Sequence, residues 1–346
     1  MAQSTGVKKK ITIRDIAQMA NVSVATVSYV INGKEGVGAE TRARIQSIID
    51  QTGFTRNINS RRLIENRSYN ICLLIRPSSS PFQDLFYYEV MQGLLETCQQ
   101  AGYNLIFCHL ERDESERFIM PRTVANRDCD GIAIFQDIDH QFLTELKETG
   151  VPVVLVDNHS IPHNTDCIRV DNRLLCLRAT NYLISQGHKR IGFLGNANLP
   201  DFYNASFQGY FDALAAAKMP LNPAWILSEA KDEQKAFADM NHLLSASRLP
   251  TSFVCSNDHL AIGAMKAVKA YGMHIPADMS FIGIDDIVLS RYVEPALTTL
   301  KIDKVKLGSV AGNLLLKAID SPGSKGEAHT LEMNEIVERQ SIKRLS

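Results

Sequence analysis

The spacing of apolar residues changes along the chain and divides it into two regions with different predicted folds. Near the start, four apolar residues follow the i, i+3, i+4, i+7 spacing of one helix face: Ile13, Ile16, Ala17 and Ala20. From about residue 69 onward, short apolar runs alternate with longer amphipathic stretches; the runs include NICLLI, GIAIF, VPVVLVD, RIGFLG and MSFIGID. This alternation predicts strands of parallel sheets with helices on both faces. We therefore expect a small all-α region followed by a larger α/β region.

Two more helices are predicted directly after the first. Asn21 tolerates the left-handed backbone conformation that a tight turn between helices requires. Ser23 is a suitable N-cap for a second helix, Val24 to Ile31, that is predicted to bury Val27, Val30 and Ile31. A third helix is predicted in the segment AETRARIQSIIDQTGF. Two short helices joined by about three residues and packed against a third predict a helix-turn-helix unit.

The predicted second helix has the residue types of a helix that reads DNA. In a helix-turn-helix unit this helix enters the major groove, with its first turn nearest the base edges. Val24 and Ala25 occupy that turn and suit contact with thymine methyl groups, and Tyr29 lies one turn further along the same exposed side. Polar and cationic side chains nearby are predicted to bind phosphates or base edges: Thr12, Ser23, Thr26, Ser28, Asn32, Thr41 and Arg42. The pattern favours a DNA-binding surface over a generic three-helix unit with a solvated basic surface.

Charge is unevenly distributed between the two regions. Residues 1–68 contain 11 Lys and Arg against 5 Asp and Glu, whereas the rest of the chain contains 26 against 33. A basic region attached to a larger acidic one is typical of a protein with one polyanion-binding end. No apolar run reaches the roughly 18 residues of a membrane span, and the segment MAQSTGVKKKITIRD lacks the apolar stretch of a secretory signal. We therefore expect a cytoplasmic protein without membrane contact.

Longer segments of the chain resemble the lactose/galactose repressor family. The resemblance rests on IRDIAQMANVSVATVSYVINGK and TRARIQSIIDQTGF in the basic region, and on VDNRLLCLRATNYLISQGHKRIGFLG, CSNDHLAIGAMKAVKAYGMHIPADMSFIGIDD and EPALTTLKID in the core. It implies an all-α helix-turn-helix headpiece and an α/β two-lobed periplasmic-binding-protein-like core with parallel sheets and an effector cleft between the lobes. The implied protein is a transcriptional regulator, by default a repressor of a carbohydrate-utilisation operon. Its implied partners are double-stranded operator DNA, a small-molecule effector and a second copy of the chain in a homodimer.

The resemblance also predicts domain boundaries. The headpiece covers residues 11–56, a hinge helix or linker covers residues 57–68, and the core covers residues 69–346. Within the core, the predicted lobes are made of two segments each: residues 69–168 and 299–321 for the N-terminal lobe, and residues 169–298 and 326–346 for the C-terminal lobe. The chain thus passes between the lobes three times.

The segment RNINSRRLIENRS lies where the family has its hinge helix. By resemblance, Asn57, Ser60 and Leu63 approach the minor groove, where Leu63 would be an apolar wedge that kinks the central base step. Two positions depart from the family pattern, since Arg56 replaces a proline and Ser60 replaces an alanine. A packing role for Leu63 is the alternative.

Effector contacts can be assigned by the same resemblance. The positions that match aromatic or polar cleft residues are Phe86, Tyr87, Asp157, Asn158, Asn257 and Asp285. Two further positions depart from the family, since Ser206 replaces an arginine and Lys231 replaces an aromatic residue. These changes remove a bidentate donor and a stacking face, although Phe202 and Tyr203 could supply replacement stacking.

The predicted effector is a sugar or, because of Lys231, a sugar phosphate. A different anionic or non-sugar effector is the alternative, as is a merely solvated Lys231. For any single cleft position, packing or solvent exposure is the competing interpretation.

Catalytic and metal chemistry are not supported by the sequence. His159, His163 and Cys167 have a spacing that could suit zinc, but Pro162 and polar loop residues lie between them, so no helix holds them together. The chain has no G-x-G-x-x-G after a strand, no G-x-x-x-x-G-K-[ST] and no G-x-S-x-G. We therefore predict a protein that is not an enzyme and uses no metal or cofactor. A ligand-binding protein without DNA function is one competing class, and an α/β enzyme, which the missing motifs disfavour, is the other.

The cysteines are odd in number and form no C-x-x-C pair. The seven are Cys72, Cys98, Cys108, Cys129, Cys167, Cys176 and Cys255, and most of them lie inside apolar runs such as NICLLI. Buried reduced thiols are the expected state of most of them.

Overall fold

The computed structural model divides the chain into two compact units, Met1–Ser68 and Tyr69–Ser346. The structure describes residues 11–31, 33–54, 67–75, 85–135, 137–160, 165–323, 326–332 and 335–345. Among these residues, no helix is both long enough and apolar enough to cross a membrane.

Three helices form the described part of the first unit: α1 (Ile13–Ala20), α2 (Val24–Ile31) and α3 (Ala39–Thr52). They pack around a small apolar core to which each helix contributes. The buried members of this core are Ile16, Ala17, Ala20, Val27, Val30 and Ile45. Ile31, predicted to be buried, is only partly buried and packs against this core. The helical spacing of the sequence therefore identified the packing face of α1.

Local hydrogen bonds set the boundaries of these helices. Thr12 and Asp15 form a capping box at the start of α1, in which the Asp15 carboxylate accepts from the Thr12 amide and hydroxyl, each at 2.7 Å. Asn21 ends α1 with a left-handed φ of 51°. The Ser23 hydroxyl accepts from the Thr26 amide at 3.1 Å and caps α2. The predicted turn at Asn21 and the predicted cap at Ser23 are confirmed.

The second unit contains two six-stranded sheets. The strands of the first sheet are β1 (Asn70–Ile75), β2 (Asn104–His109), β3 (Gly131–Phe135), β4 (Val153–Val156), β5 (Asp166–Val170) and β11 (Ala328–Leu331). Their spatial order is β11-β5-β4-β3-β1-β2, and every pair is parallel. Parallel strands buried on both faces are expected to read as continuous apolar runs, and NICLLI in β1 is fully buried.

The strands of the second sheet are β6 (Ile191–Leu194), β7 (Ile226–Leu227), β8 (Ser252–Cys255), β9 (Ser280–Asp285), β10 (Thr298–Lys301) and β12 (Ile336–Val337). Their spatial order is β12-β10-β9-β8-β6-β7. All pairs are parallel except β10 with β12, which is antiparallel. The predicted α/β core with parallel sheets is confirmed.

Helices cover each sheet and complete a lobe. The N-terminal lobe has α4 (Leu85–Gln100), α5 (Arg122–Ala125), α6 (His140–Glu148) and α11 (Lys304–Asp320), and the C-terminal lobe has α7 (Asn172–Ser185), α8 (Pro200–Ala216), α9 (Glu233–Leu244) and α10 (Asp258–Ala270). Two short 3-10 helices, Pro223–Trp225 and Val288–Arg291, lie in loops of the C-terminal lobe.

Helix α11 joins the N-terminal lobe through a close crossing with α4. A Cβ atom on Gly93 would lie 1.9 Å from the carbonyl oxygen of Val305, and one on Gly308 would lie 1.9 Å from that of Val90. Only glycine permits this approach of two backbones. The crossing fixes α11 to the N-terminal lobe although it directly follows a strand of the other lobe.

The predicted lobe boundaries need correction at all three crossings. At the first, residues 169 and 170 were predicted in the C-terminal lobe, but they belong to β5 of the first sheet. Residues 299–301 were assigned to the N-terminal lobe, but they belong to β10, which pairs with β9 in the second sheet. Residues 328–331 were assigned to the C-terminal lobe, but they form β11, which pairs with β5 in the first sheet. Strand pairing between residues distant in sequence decides all three assignments, and local apolar spacing does not reveal it.

Five of the seven cysteines are buried free thiols, as expected for most of them: Cys98, Cys129, Cys167, Cys176 and Cys255. Burial raises the pKa of Cys98 and of Cys129 to about 12. The remaining two, Cys72 and Cys108, lie on neighbouring strands β1 and β2 with Cα atoms 6.3 Å apart and form a disulfide. The sequence did not indicate this pair, because it depends on the register of two strands.

Candidate functional site

Helix α2 has one packing face and one outward face. Val27 and Val30 are buried, whereas Val24 is 42% exposed and Tyr29 is 46% exposed. Ala25 is exposed as well. The predicted reading residues thus lie together on the free side of the helix, where packing within the unit does not need them. We call Val24, Ala25 and Tyr29 the reading surface.

The polar residues predicted around the reading surface include several with structural bonds. Thr12 and Ser23 are helix caps, and the Thr26 hydroxyl lies 2.9 Å from the Ser23 hydroxyl. Ser28 and Thr41 are half-buried. Capping leaves hydroxyl lone pairs for a further partner, so phosphate contact by these residues stays a prediction.

One cation, Lys34, lies next to the reading surface, and Arg42 bonds to the backbone of Lys34. The Lys34 ammonium is 5.8 Å from the centre of the Tyr29 ring, a cation–π geometry. The Arg42 guanidinium donates to the Lys34 carbonyl oxygen at 2.5 Å and so ties α3 to the segment after α2. Sequence analysis missed Lys34, although its place five residues after Tyr29 in SYVINGK was a usable signal.

Four predicted DNA contacts lie outside the described residues: Asn32, Asn57, Ser60 and Leu63. Their roles stay predictions that rest on the sequence alone.

In the core, a tyrosine at the start of α4 and an aspartate after β4 of the N-terminal lobe are joined by a hydrogen bond. The Tyr87 hydroxyl, in the first turns of α4, donates to Oδ2 of Asp157 at 2.7 Å. Asp157 directly follows β4 and has a left-handed φ of 57°. The Tyr87 ring stacks on Phe135 at 5.6 Å and meets Phe86 edge-on at 5.0 Å. The structure therefore brings three of the predicted cleft residues together.

His159 joins this group and reaches the other lobe. Its Nε2 atom lies 3.2 Å from Oδ1 of Asp157 and 3.2 Å from Nδ2 of Asn172, at the start of α7. Its ring lies 5.9 Å from the Phe202 ring, in the first turn of α8. The sequence singled out His159 only as a weak zinc candidate, and among the described residues no cluster suited to a metal ion is found.

Opposing effects act on the His159 ring. Burial favours the uncharged ring and lowers its pKa, whereas the hydrogen bond and charge of Asp157 and the charge of Asp137 raise it. Arg169 on β5 opposes the carboxylates. The net result is a pKa of His159 above its ordinary value.

The C-terminal lobe presents Asp285 at the end of β9, where its φ is 120°. The buried ammonium of Lys304, at the start of α11, donates to the carbonyl oxygens of Asp285 at 2.7 Å and of Asp286 at 3.0 Å. Asn257 follows β8, and its side chain caps α10 by accepting from the Leu260 amide at 2.9 Å. Lys304, which directly follows a crossing between the lobes, thus fixes the backbone at the end of β9 that carries Asp285.

The remaining predicted effector residues differ in their accessibility. Ser206 is 1% exposed and faces Cys176 of α7, with no hydrogen-bond partner of good geometry for its hydroxyl. Asn158 is also 1% exposed, and its carbonyl oxygen accepts from the Cys167 thiol at 3.8 Å. Lys231 is exposed in the loop before α9. Effector contact by these residues stays a prediction.

The chain is similar to known proteins along nearly its whole length. Residues 12–57 match the family model described as bacterial regulatory proteins, lacI family, and residues 180–342 match the model of a periplasmic binding protein-like domain. The chain is 33% identical over 332 residues to the ribose operon repressor of Haemophilus influenzae, which covers 96% of this chain and 98% of that protein. It is also 33% identical over 310 residues to the HTH-type transcriptional repressor PurR of Haemophilus influenzae (strain PittEE), covering 89% and 91%.

The crystal structure of the Lac repressor dimer bound to operator and the anti-inducer ONPF shares the fold. The TM-score is 0.79 at 23% identity, covering 97% of this chain and 100% of that one. The fold class predicted from the sequence is confirmed by this similarity. The two Haemophilus influenzae relatives are repressors, which confirms the prediction of a transcriptional regulator rather than an enzyme.

Proposed function

Because this chain belongs to the lacI family of bacterial regulatory proteins, we propose that it binds a pseudo-palindromic operator as a homodimer and responds to a small hydroxyl-rich effector in the cleft between its lobes. The reading surface on α2 is the observation that carries the proposal. Its three residues are exposed while the opposite face of the helix is buried. Val24 and Ala25 contact thymine methyl groups, and Tyr29 bonds to a base edge one turn further along.

Dimerisation is supported by an apolar patch on the C-terminal lobe. Val288, Leu289 and Tyr292 are exposed within five consecutive residues, and Tyr292 is 75% exposed. A patch that faces its own copy across a two-fold axis is self-complementary, and this symmetry matches the symmetry of a palindromic site. The Lac repressor that shares the fold is described as a dimer bound to operator.

The carboxylates at the strand ends support an uncharged, hydroxyl-rich effector. Asp157 follows β4 and Asp285 ends β9, and carboxylates accept hydrogen bonds from hydroxyl groups but repel phosphates. The similar ribose operon repressor makes a pentose the first sugar to test. A sugar phosphate is the second candidate, because Lys231 is an exposed cation near the end of β7.

Selection of bound duplexes from a random pool tests the DNA part of the proposal. We expect two half-sites related by a two-fold axis, with an affinity that falls steeply as salt rises because several phosphates are contacted. Replacing thymine by uracil opposite Val24 should weaken binding by the native chain but leave the Val24→Ala variant unaffected. Equal affinity for palindromic and random duplexes would contradict the proposal.

Thermal unfolding in the presence of sugars and sugar phosphates tests the effector part. A ligand at about 100 times its Kd stabilises the folded state by roughly 2.7 kcal/mol. A neutral sugar should lose its effect in Asp285→Asn and keep it in Lys231→Gln, whereas a sugar phosphate should lose it in Lys231→Gln. If neither class shifts the unfolding temperature of the native chain, the proposed effector classes are wrong.

A further inference from the structure

One side chain of the N-terminal lobe, His159, bonds to residues of the C-terminal lobe. Its Nε2 atom is 3.2 Å from Nδ2 of Asn172, the first residue of α7. Its ring centre is 5.9 Å from that of Phe202 in the first turn of α8. Both contacts span the two lobes, so any movement of α7 and α8 away from the end of β4 breaks them.

The same Nε2 atom faces one hydrogen-bond acceptor and one hydrogen-bond donor. It lies 3.2 Å from Oδ1 of Asp157 in its own lobe, as close as it lies to Asn172. A carboxylate oxygen only accepts hydrogen bonds, whereas an amide nitrogen only donates them. A protonated Nε2 therefore bonds to Asp157 and faces the Asn172 amide as donor to donor. An unprotonated Nε2 accepts from Asn172 and faces the carboxylate as acceptor to acceptor.

Charged groups around the His159 ring act on its protonation in opposite directions. Asp157 is held by the Tyr87 hydroxyl at 2.7 Å, and Asp137, after β3, accepts from the His159 backbone amide at 2.8 Å. Arg169 on β5 is the cation that acts on the ring. Burial and Arg169 disfavour the charged ring while the two carboxylates favour it, and the net result is a pKa of His159 above its ordinary value.

We propose that His159 is a positioning residue for the effector response, and that the proton on its Nε2 atom controls whether it bonds across the two lobes. When the Nε2 proton leaves to solvent, the hydrogen bond moves from Asp157 to Asn172, and the lobes are held together at α7 and α8. The closed arrangement is therefore favoured as pH rises. His159 would set the ratio of closed to open lobes before an effector enters between them. Any resulting effect on operator binding rests on the proposed function.

The distance between the lobes measures this balance without DNA or effector. The native cysteines are buried, so spin labels attach selectively to cysteines introduced at exposed positions in each lobe, Gln141→Cys on α6 and Asn241→Cys on α9. Labelled full-length chain diluted with unlabelled chain reports on pairs within one chain. Between pH 6 and pH 9 we expect the ratio of closed to open lobes to rise roughly two- to tenfold, the range of one net hydrogen bond.

Three variants identify the atom responsible. His159→Gln removes the titrating ring and should flatten the pH profile. Asn172→Asp replaces a donor by an acceptor of the same shape, so closure should be favoured at low pH instead. His274→Gln is the matched control, because that ring is 82% exposed and its contact with Asp278 lies within one lobe, and its profile should equal the native one.

Nitrogen chemical shifts of a histidine-labelled chain report the proton on Nε2 directly, with the His159 signal identified by its loss in His159→Gln. A native pH profile that survives in His159→Gln would overturn the proposal. Closure at low pH in the native chain would also overturn it, since the Asn172 amide oxygen would then face the ring. So would a His159 signal that does not titrate while the lobe distance changes. None of these measurements involves operator DNA, so their failure is distinct from failure of the operator selection.

Discussion

The reading surface of the headpiece and the junction at His159 are held in place in different ways. In the headpiece, the fixed polar contacts join residues close in sequence, such as Ser23 with Thr26 and Lys34 with Arg42. At the junction, the contacts join distant segments, and Tyr87 and Asp157 are 70 positions apart. A surface fixed by local bonds keeps its shape whatever the core does. A junction made between two lobes changes when the lobes move, and so it can respond to a ligand.

A charge on the reading surface should produce the largest effect and leave the core untouched. Val24→Glu places a carboxylate against the negatively charged groove, and we expect operator affinity to fall by about 100-fold or more. Because Val24 is exposed, the unfolding temperature and the lobe distance should stay at their native values. Fluorescence anisotropy with labelled operator at fixed salt measures the affinity.

Tyr271→Glu is the control for Val24→Glu, since Tyr271 is a similarly exposed apolar side chain of the core. Its operator affinity should match the native one. An equal loss in both variants would show that added negative charge, and not the reading surface, lowers the affinity.

The buried carboxylate of Asp258 should give the next largest effect, on the stability of the core. It accepts from the Ile287 amide at 3.0 Å and from the hydroxyls of Ser290 and Thr299 at 2.6 Å each. Burial raises the pKa of Asp258 to about 6, with the charge of Asp286 acting in the same direction and the three hydrogen bonds against it. These bonds join distant segments of the C-terminal lobe, in contrast to the local bonds of the headpiece.

The raised pKa of Asp258 predicts how the free energy of unfolding depends on pH. Because an unfolded aspartate titrates near about 3.9, the folded state favours the protonated form. This stabilisation is fully present below about pH 4 and is lost as pH rises through about 6, a change of roughly 3 kcal/mol. Denaturant unfolding between pH 4 and pH 8 should show this change in the native chain and lack it in Asp258→Asn. An identical pH dependence in both chains would rule out Asp258 as its source.

Removing one hydroxyl at the junction should weaken effector binding without abolishing it. Tyr87→Phe deletes the donor to Asp157 and leaves that carboxylate with one bond fewer, so we expect effector affinity to fall by about tenfold. Operator affinity without effector should not change. Isothermal titration measures the first quantity, and Tyr88→Phe, an exposed neighbour on α4, is the matched control.

The smallest expected effect is confined to one base pair. Tyr29→Phe keeps the ring but removes the hydroxyl that bonds to a base edge, and operator affinity should fall by about two- to fivefold. The loss should disappear when the base opposite Tyr29 is changed. A uniform loss across all operator variants would instead assign the Tyr29 hydroxyl to phosphate contact.

The headpiece could be predicted from the sequence because its structure is local. Helical spacing placed Ile16 and Ala17 in the core, and residue chemistry alone identified the turn at Asn21 and the cap at Ser23. The lobe boundaries could not be predicted in the same way, since the pairing of β11 with β5 joins residues about 160 positions apart, such as Ala328 and Cys167.

The cleft shows the same limit at the level of single residues. Resemblance named Tyr87 and Asp157, and the structure joins them by a hydrogen bond. It also named Ser206, which the structure buries against Cys176. His159 carried no signal beyond its spacing to other possible zinc ligands, because its importance comes from Asn172 on the opposite lobe. A contact between lobes is a property of the tertiary structure, and no local pattern encodes it.

The two late crossings also constrain how the molecule is made on the ribosome. The N-terminal lobe begins at β1, but its helix α11 and its edge strand β11 are translated only after the whole C-terminal lobe up to β10. The nascent N-terminal lobe therefore stays incomplete while more than a hundred further residues are synthesised. During this time the surface that α11 later covers is exposed. The headpiece has all its core residues within its own short segment and can fold as soon as it leaves the exit tunnel. Synthesis thus completes the DNA-reading end first and the sensing end last, and chaperones are most needed in the interval between them.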